Sequence, residues 1–233
     1  MEKNFQTGKL YIVSTPIGNL EDMTYRAVRI LKEVDIIAAE ETRKAKILID
    51  KFEIGNKRVI SHHMQNEHYS VNGLLSELNA GKSIAVISEA GTPCISDPGF
   101  LIVREAIKNN IEPIIIPGAS ALTFAAAACG LPIEKLVFYG FLPPKKGARA
   151  KILEEIANDD KTAFLYESPM RIIKLLNEIL EIIGIDTNIV LIREATKIHE
   201  EAIRGTVAEV IGKIGDKTPK GEFVVCISSR KKK

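Results

Sequence analysis

"AVISEAGTPCISDPG", residues 85–99, decides how the rest of the chain is read. It begins as a buried strand. It then turns into Glu89, Gly91, Thr92, Pro93, Ser96, Asp97, Pro98 and Gly99, after which "FLIVREAI" resumes an apolar pattern. A strand that runs through a polar loop into a helix is a unit of an α/β sheet, and such sheets bind ligands at the carboxyl ends of their strands. Turn chemistry accounts for Gly91, Pro93 and Gly99, but not for two acids and two hydroxyls in one short loop. Asp97 has a second reading beside ligand contact. It is a good N-cap for a helix running to about Asn110, with Pro98 suited to the first helical position.

Outward from this loop the same alternation recurs. "KLYIVST" (9–15) precedes a helix on which Ala27, Ile30, Leu31 and Val34 share a face. "DIIAAE" (35–40) leads into "TRKAKILIDKF", and "RVISHH" (58–63) leads into a helix carrying Val71, Leu74, Leu75 and Leu78. "SIAVIS" and "EPIIIP" complete five strands by Pro117. These strands are apolar on both faces, as a parallel sheet covered on both sides requires. After a helix over 119–129 come "KLVFYGF", "KTAFLYE", "TNIVLIRE", "EEAIRG" and "EFVVCIS", with helices near 147–158, 169–183 and 206–214. The reading is two α/β domains. Residues 1–117 carry a mostly parallel sheet and 118–233 a mixed one, because "EEAIRG" follows its preceding strand with no helix between.

Composition fits this reading. The chain has 233 residues, 45% of them hydrophobic, and a net charge of +2. That charge argues against a protein held to nucleic acid by charge alone, but leaves room for local patches such as "KKGARAK" (145–151). The terminal "RKKK" (230–233) reads as a solvated tail. No apolar run approaches the roughly 20 residues of a membrane span, and "MEKNFQTGKLYIV" lacks the apolar stretch of a signal peptide. Cys94, Cys129 and Cys226 form no C-x-x-C pair, so reduced thiols in a cytoplasmic protein are expected.

Two familiar ligand loops are excluded. No two glycines lie two residues apart, so G-x-G-x-x-G is absent, and "GKS" at 81–83 precedes a strand instead of following one. "HHMQNEH" (62–68) has metal-ligand residue types but lacks a third ligand at the right spacing. It reads as a polar loop at a strand end, with His62 and Asn66 touching substrate.

The polar segments at strand ends are "STPIGNLEDMT" (14–24), "AEETR" (39–43), "SHHMQNE" (61–67), "SEAGTPCISDPG" (88–99), "IPGASA" (116–121), "FYGFLP" (138–143), "YESPMR" (166–171), "REATKIHEE" (193–201) and "KGEFVV" (220–225). In number and order they resemble the ribosomal RNA small-subunit methyltransferase I family of the tetrapyrrole-methylase superfamily, from about Leu10 to Ile227. The resemblance implies S-adenosyl-L-methionine as cofactor and the 2′-hydroxyl of a cytidine in 16S rRNA of the small subunit as target. It also implies two α/β domains with the cofactor in the cleft between them, a homodimer, and a fold unlike the Rossmann-type methyltransferases. Glu41 and Glu89 stand where the family usually has Asp, and Cys94 where glycine is common.

The resemblance places cofactor contacts at Glu89, Gly91, Thr92, Pro93, Asp97, Ala119, Ser120 and Tyr166. Glycine lets the backbone approach a ligand, and "PGAS" opens a helix, whose first amides have no intrahelical partner. A wall of the cofactor pocket and a core tyrosine are both open for Tyr166. Methyl transfer needs no metal, and a base for the ribose hydroxyl comes from Glu167 or Glu194, or from Lys197 if its pKa is depressed. Arg171 and Arg43 suit phosphate, with interdomain salt bridges as the other reading of this acidic and basic set. Lys145, Lys146 and Arg149 sit in a flexible basic loop suited to an RNA backbone, or simply to solvent. Successive strand residues face opposite ways, so Tyr166 is assigned to the cofactor side and Glu167 with Arg171 to the RNA side. The alternatives are a methylase of a tetrapyrrole or other small molecule, and a non-catalytic RNA-binding ribosome-assembly factor.

Overall fold

The computed structural model describes residues 7–215 and 219–228. The opening residues 1–6 and the terminal "RKKK" lie outside them. The chain divides into two compact units, Met1–Ser120 and Ala121–Lys233.

The first unit alternates strictly: β1 (Leu10–Val13), α1 (Tyr25–Glu33), β2 (Ile36–Ala39), α2 (Thr42–Lys51), β3 (Arg58–Ser61), α3 (Glu67–Asn79), β4 (Ile84–Ile87), α4 (Phe100–Lys108) and β5 (Ile114–Ile116). The strands pair in the order β3-β2-β4-β1-β5, all parallel. Alternate residues of each strand enter different cores, as the pleat requires. Val13, Ile37, Ala85 and Ile87 pack with Ala27, Ile30 and Leu31 of α1 and Ala45 of α2. Leu10, Ile12, Ile36, Ala38, Ile84 and Val86 pack with Val71, Leu74 and Leu78 of α3 and Ile102 of α4.

This arrangement fixes where a ligand can sit. From β1 the chain passes by α1 on one face toward β2. From the neighbouring β4 it passes by α4 on the other face, across β1, to β5. The connections leaving β1 and β4 therefore lie on opposite faces, the arrangement that places a ligand crevice at the carboxyl end of such a sheet.

The second unit contains α5 (Ala121–Ala128), β6 (Leu136–Phe141), α6 (Lys146–Asn158), β7 (Thr162–Glu167), α7 (Ile172–Ile182), β8 (Asn188–Arg193), β9 (Glu201–Thr206), α8 (Val207–Ile214) and β10 (Phe223–Ile227). The order is β6-β7-β10-β8-β9. Only β6 and β7 are parallel; β10 runs antiparallel to both neighbours, as β9 does to β8. Helices α6, α7 and α8 cover one face and α5 the other.

Two helix starts differ from the sequence expectation. Asp97 is not the cap of α4, which begins at Phe100. Gly99 occupies the cap position with φ +128° and no side-chain bond. The Pro98 carbonyl accepts from the Cys94 amide and closes a turn short of the helix. Likewise Arg171 stands at the cap of α7 rather than inside its first turn.

Candidate functional site

Three strand ends meet at the crevice and are tied by small residues. Thr15, past β1, exchanges two backbone hydrogen bonds with Gly91, at 2.8 and 3.1 Å. The Ser14 and Thr92 hydroxyls are 2.9 Å apart, and Thr92 Oγ1 also donates to the Ala119 carbonyl past β5. Glycine suits two positions in this knot. At Gly91, φ is +81° and a Cβ would lie 3.2 Å from Ile17 Cγ2, while at Gly118 it would lie 3.0 Å from the Ser14 Cβ. Pro93 is buried beside them, and Ser120 is half-buried at the end of the unit.

The rim of the crevice is acidic. Glu40 Oε2 accepts from the Glu89 amide at 3.0 Å, and the exposed Glu89 side chain pairs with Lys44. Asp97 completes the group. Burial pushes its carboxyl up to about 7, helped by the charges of Glu40 and, more weakly, Glu89, while a hydrogen bond with Ser88 works the other way. Glu40 was not singled out from sequence, although its place at the end of "DIIAAE" is the signal that marks Glu89. Glu41 beside it caps α2 by accepting from the Arg43 amide at 3.0 Å. Arg43 itself is exposed.

The loop between Gly91 and Gly99 is strained. Cys94 and Ser96 both hold positive φ, 72° and 65°. That is costly for any residue with a Cβ, which explains why glycine suits the position Cys94 occupies. Burial, with the charges of Glu67 and Asp97, pushes the Cys94 thiol up to about 11, so it stays protonated near neutral pH.

"HHMQNEH" does not present its side chains as expected. His62 is fully buried, with Nδ1 2.7 Å from Ser70 Oγ, so it cannot touch RNA. Asn66 uses its amide locally, donating to the Ser61 carbonyl and accepting from the His63 amide. Both are corrections to the substrate-contact reading. The residues turn inward because the loop needs partners for its own backbone.

In the second unit, Tyr166 and Glu167 do face opposite ways. Tyr166 packs on the α5 side with its ring edge-on to Phe138 and Phe141, the centroids 4.8 and 5.6 Å away. A bulge between Phe138 and Gly140 lets these two aromatics, three residues apart, share one face. The Glu167 side chain is 1% exposed and accepts from the Ser168 amide and from Arg171 Nη2 at 3.0 Å. Arg171 Nη2 also donates to the Leu142 carbonyl. A carboxylate so enclosed does not meet a ribose hydroxyl, while Arg171, its side chain 32% exposed, spends Nη2 on Glu167 and the Leu142 carbonyl. The pair is a local ion pair within one unit.

Glu194 and Lys197 form a second such group. The Glu222 amide, then Lys197, hold the Glu194 carboxyl below its ordinary value. For Lys197, burial opposes the charge, but Glu222 and Glu194 together outweigh it and raise the ammonium pKa. Lys197 is therefore no base. Gly221 is required here because a Cβ would lie 2.5 Å from Glu194 Cγ.

The basic segment is only partly a loop. Lys145 stands at the N-cap position of α6 without a side-chain capping bond and Lys146 begins the helix, both exposed. Arg149, 3% exposed, points inward. Its Nε and Nη2 bind the two oxygens of Glu178, and Nη1 donates to the Pro143 and Pro144 carbonyls at 3.0 Å each. Arg149 is thus a buried brace that shapes the segment, not an RNA contact.

Comparison with known proteins agrees with this geometry. Residues 9–211 match the model of the tetrapyrrole (corrin/porphyrin) methylases. The chain is 44% identical to the ribosomal RNA small subunit methyltransferase I of Thermotoga maritima, over 96% of this chain and 99% of that one. It is 45% identical to the protein of that name from Halalkalibacterium halodurans, over 97% and 78%. Among solved structures it resembles cobalt precorrin-4 methyltransferase, with TM-score 0.67 and 18% identity over 94% of each chain. It also resembles the uroporphyrin-III C-methyltransferase of Thermus thermophilus complexed with S-adenyl homocysteine, with TM-score 0.65 and 16% identity over 94% and 97%.

Proposed function

The chain belongs to the tetrapyrrole methylase family, among the ribosomal RNA small subunit methyltransferases I, and from that premise we propose that it methylates the ribose 2′-oxygen of a cytidine in 16S rRNA. The observation that carries the proposal is the switch-point crevice, with its knot of small residues and its acidic rim.

The residues present fit S-adenosyl-L-methionine. When bound, it supplies a methyl group on a positively charged sulfonium. Gly91 and Gly118 let the strand ends pack closely, with Ile17 and Ser14 where a Cβ would lie, and Thr92, Pro93, Ala119 and Ser120 line the same strand ends. Glu89 and Asp97 offer carboxylates to the ammonium or the ribose hydroxyls, and the rim formed with Glu40 favours a cation. The family resemblance assigns the Tyr166 ring to the cofactor. Much of the acceleration comes from holding hydroxyl and methyl in line. The methyl passes to the ribose oxygen, whose proton leaves to solvent or a base. Glu167 and Lys197 are unsuited to be that base, the first enclosed and the second firmly protonated. RNA is held by Arg43, Lys145 and Lys146, which are exposed cations. Among the described residues no helix is long and apolar enough to cross a membrane.

The test offers labelled S-adenosylmethionine with undermethylated 30S subunits, free 16S rRNA and a corrin precursor, side by side. Label is expected in 16S rRNA and, after nuclease digestion, in 2′-O-methylcytidine. Label in the corrin alone would make the protein a small-molecule methylase. Salt-dependent binding to subunits with no transfer would make it an assembly factor.

A further inference from the structure

The loop 88–99 is anchored at both ends, and its second anchor comes from a different part of the chain. The amides of Gly99 and Leu101, at the start of α4, both donate to Glu67 Oε1, at 2.9 and 3.1 Å. Gly99 has no side chain with which to cap the helix, so the acid arrives from α3. Glu67 is also in the first turn of α3. The carboxylate therefore lies at two helix N-termini, whose partial positive charges both favour it.

His62 packs beside it. The Ser70 hydroxyl lies 2.7 Å from His62 Nδ1 and donates to the Glu67 carbonyl at 3.3 Å, which leaves Nε2 as the ring atom facing the carboxylate. That atom is 4.0 Å from Glu67 Oε1 and has no hydrogen-bond partner among the described residues. The fully buried ring packs against the carboxylate oxygen that accepts from the two amides. Burial lowers the His62 pKa despite the nearby Glu67 charge, which keeps the ring neutral.

A tether of this kind matters because the loop does not hold its shape by itself. Gly91, Cys94, Ser96 and Gly99 all have positive φ, and a non-glycine residue in that region costs roughly 1–2 kcal/mol. The Thr15–Gly91 bridge fixes the front of the loop and Glu67 fixes the back. We infer that Glu67, backed by His62, is a positioning residue for the methyl-donor loop, and that this is the work of the "HHMQNEH" motif. The inference rests on the reading of loop 88–99 as the donor site.

The experiment titrates S-adenosylhomocysteine into the full chain by calorimetry, for wild type, Glu67→Ala, Glu67→Asp, Glu67→Gln and Gly91→Val. Losing both charge-assisted bonds predicts about tenfold weaker binding in Glu67→Ala and Glu67→Asp, the aspartate being one methylene short. Glutamine keeps an acceptor oxygen in place, so Glu67→Gln stays within about threefold of wild type. Amide exchange at Gly99 and Leu101 accelerates in the weak binders only. In steady state the KM for S-adenosylmethionine rises in those variants while the KM for 30S subunits does not. Should Glu67→Ala fail to fold, the contrast between Asp and Gln decides. Asp and Gln weakening binding equally, or Asp not weakening it, overturns the inference. A wild type that ignores S-adenosylhomocysteine overturns the donor reading and the inference with it. Loss of binding in Gly91→Val alone, with Glu67→Ala and Glu67→Asp unchanged, leaves the donor site standing and removes only the tether.

Discussion

Arg149→Ala separates the two readings of the basic segment most sharply. In the structure the change removes the four hydrogen bonds of a guanidinium, two to Glu178 and two to proline carbonyls. It also strands the Glu178 carboxylate, whose side chain is 7% exposed. Leaving one member of a buried ion pair without its partner costs about 3–5 kcal/mol. Against a total stability of roughly 5–15 kcal/mol that is a large fraction, and it lowers Tm by roughly 10 °C in a chain of this size. Urea unfolding followed by circular dichroism gives the energy, and filter binding to 16S rRNA gives the affinity. Replacing both partners, in Arg149→Met with Glu178→Leu, is expected to recover most of the loss, because no buried charge is left unpaired. A folded Arg149→Ala protein that loses less than about 1 kcal/mol yet binds RNA weakly would refute the brace and restore the RNA contact.

Three further outcomes follow from the site. Gly91→Val removes methyl-donor binding, because the new side chain meets Ile17 in a backbone conformation that valine resists; calorimetry showing wild-type affinity in a folded variant would take the loop out of the site. Lys145→Ala with Lys146→Ala weakens RNA association and flattens its salt dependence by about two charges' worth of counterion release. Donor affinity is unchanged, and an unaltered salt slope would make these lysines bystanders. Because the Asp97 carboxyl titrates near 7, acidification through that pH adds a proton and removes a negative charge from the crevice. S-adenosylmethionine binding therefore weakens as pH falls through 7, and Asp97→Asn binds weakly with a flatter profile. The same slope in Asp97→Asn would assign the effect to another group.

Both alternating α/β patterns were legible because each strand and helix declares its own period, and the missing helix before "EEAIRG" declared the mixed sheet. The loop 88–99 stood out because its composition exceeds what a turn needs, and the structure ties it to two other strand ends. What sequence did not reveal is where long polar side chains point. His62, Arg149, Glu167 and Arg171 all have the chemistry of substrate contacts, and each is turned toward a partner distant or local that no spacing rule identifies. Asp97 failed as a cap for a related reason. Its neighbour Gly99 takes the cap position, and the missing carboxylate comes from thirty residues earlier, through tertiary packing. Lys197 shows the energetic side of the same limit, since burial alone predicts a depressed ammonium and only its two carboxylate neighbours reverse the sign.

The order of strands in the second unit has a consequence for synthesis. β10 lies in the middle of its sheet, between β7 and β8, yet it is made after every strand it joins. Until residues 223–227 leave the ribosome, β7 and β8 each present an unpaired edge. Both cores of the unit then lack the side chains that Val225, Ile227, Val224 and Cys226 supply. The first unit meets the same situation earlier, because β4 inserts between β2 and β1, both made before it, and that sheet is complete once β5 has emerged. The nascent chain therefore acquires its parts at different times, with the acidic crevice formed while the sheet carrying Tyr166 still gapes. Exposed edges of that kind invite pairing with other chains, so the intervals before β4 and before β10 arrive are when the growing chain is most open to misassembly.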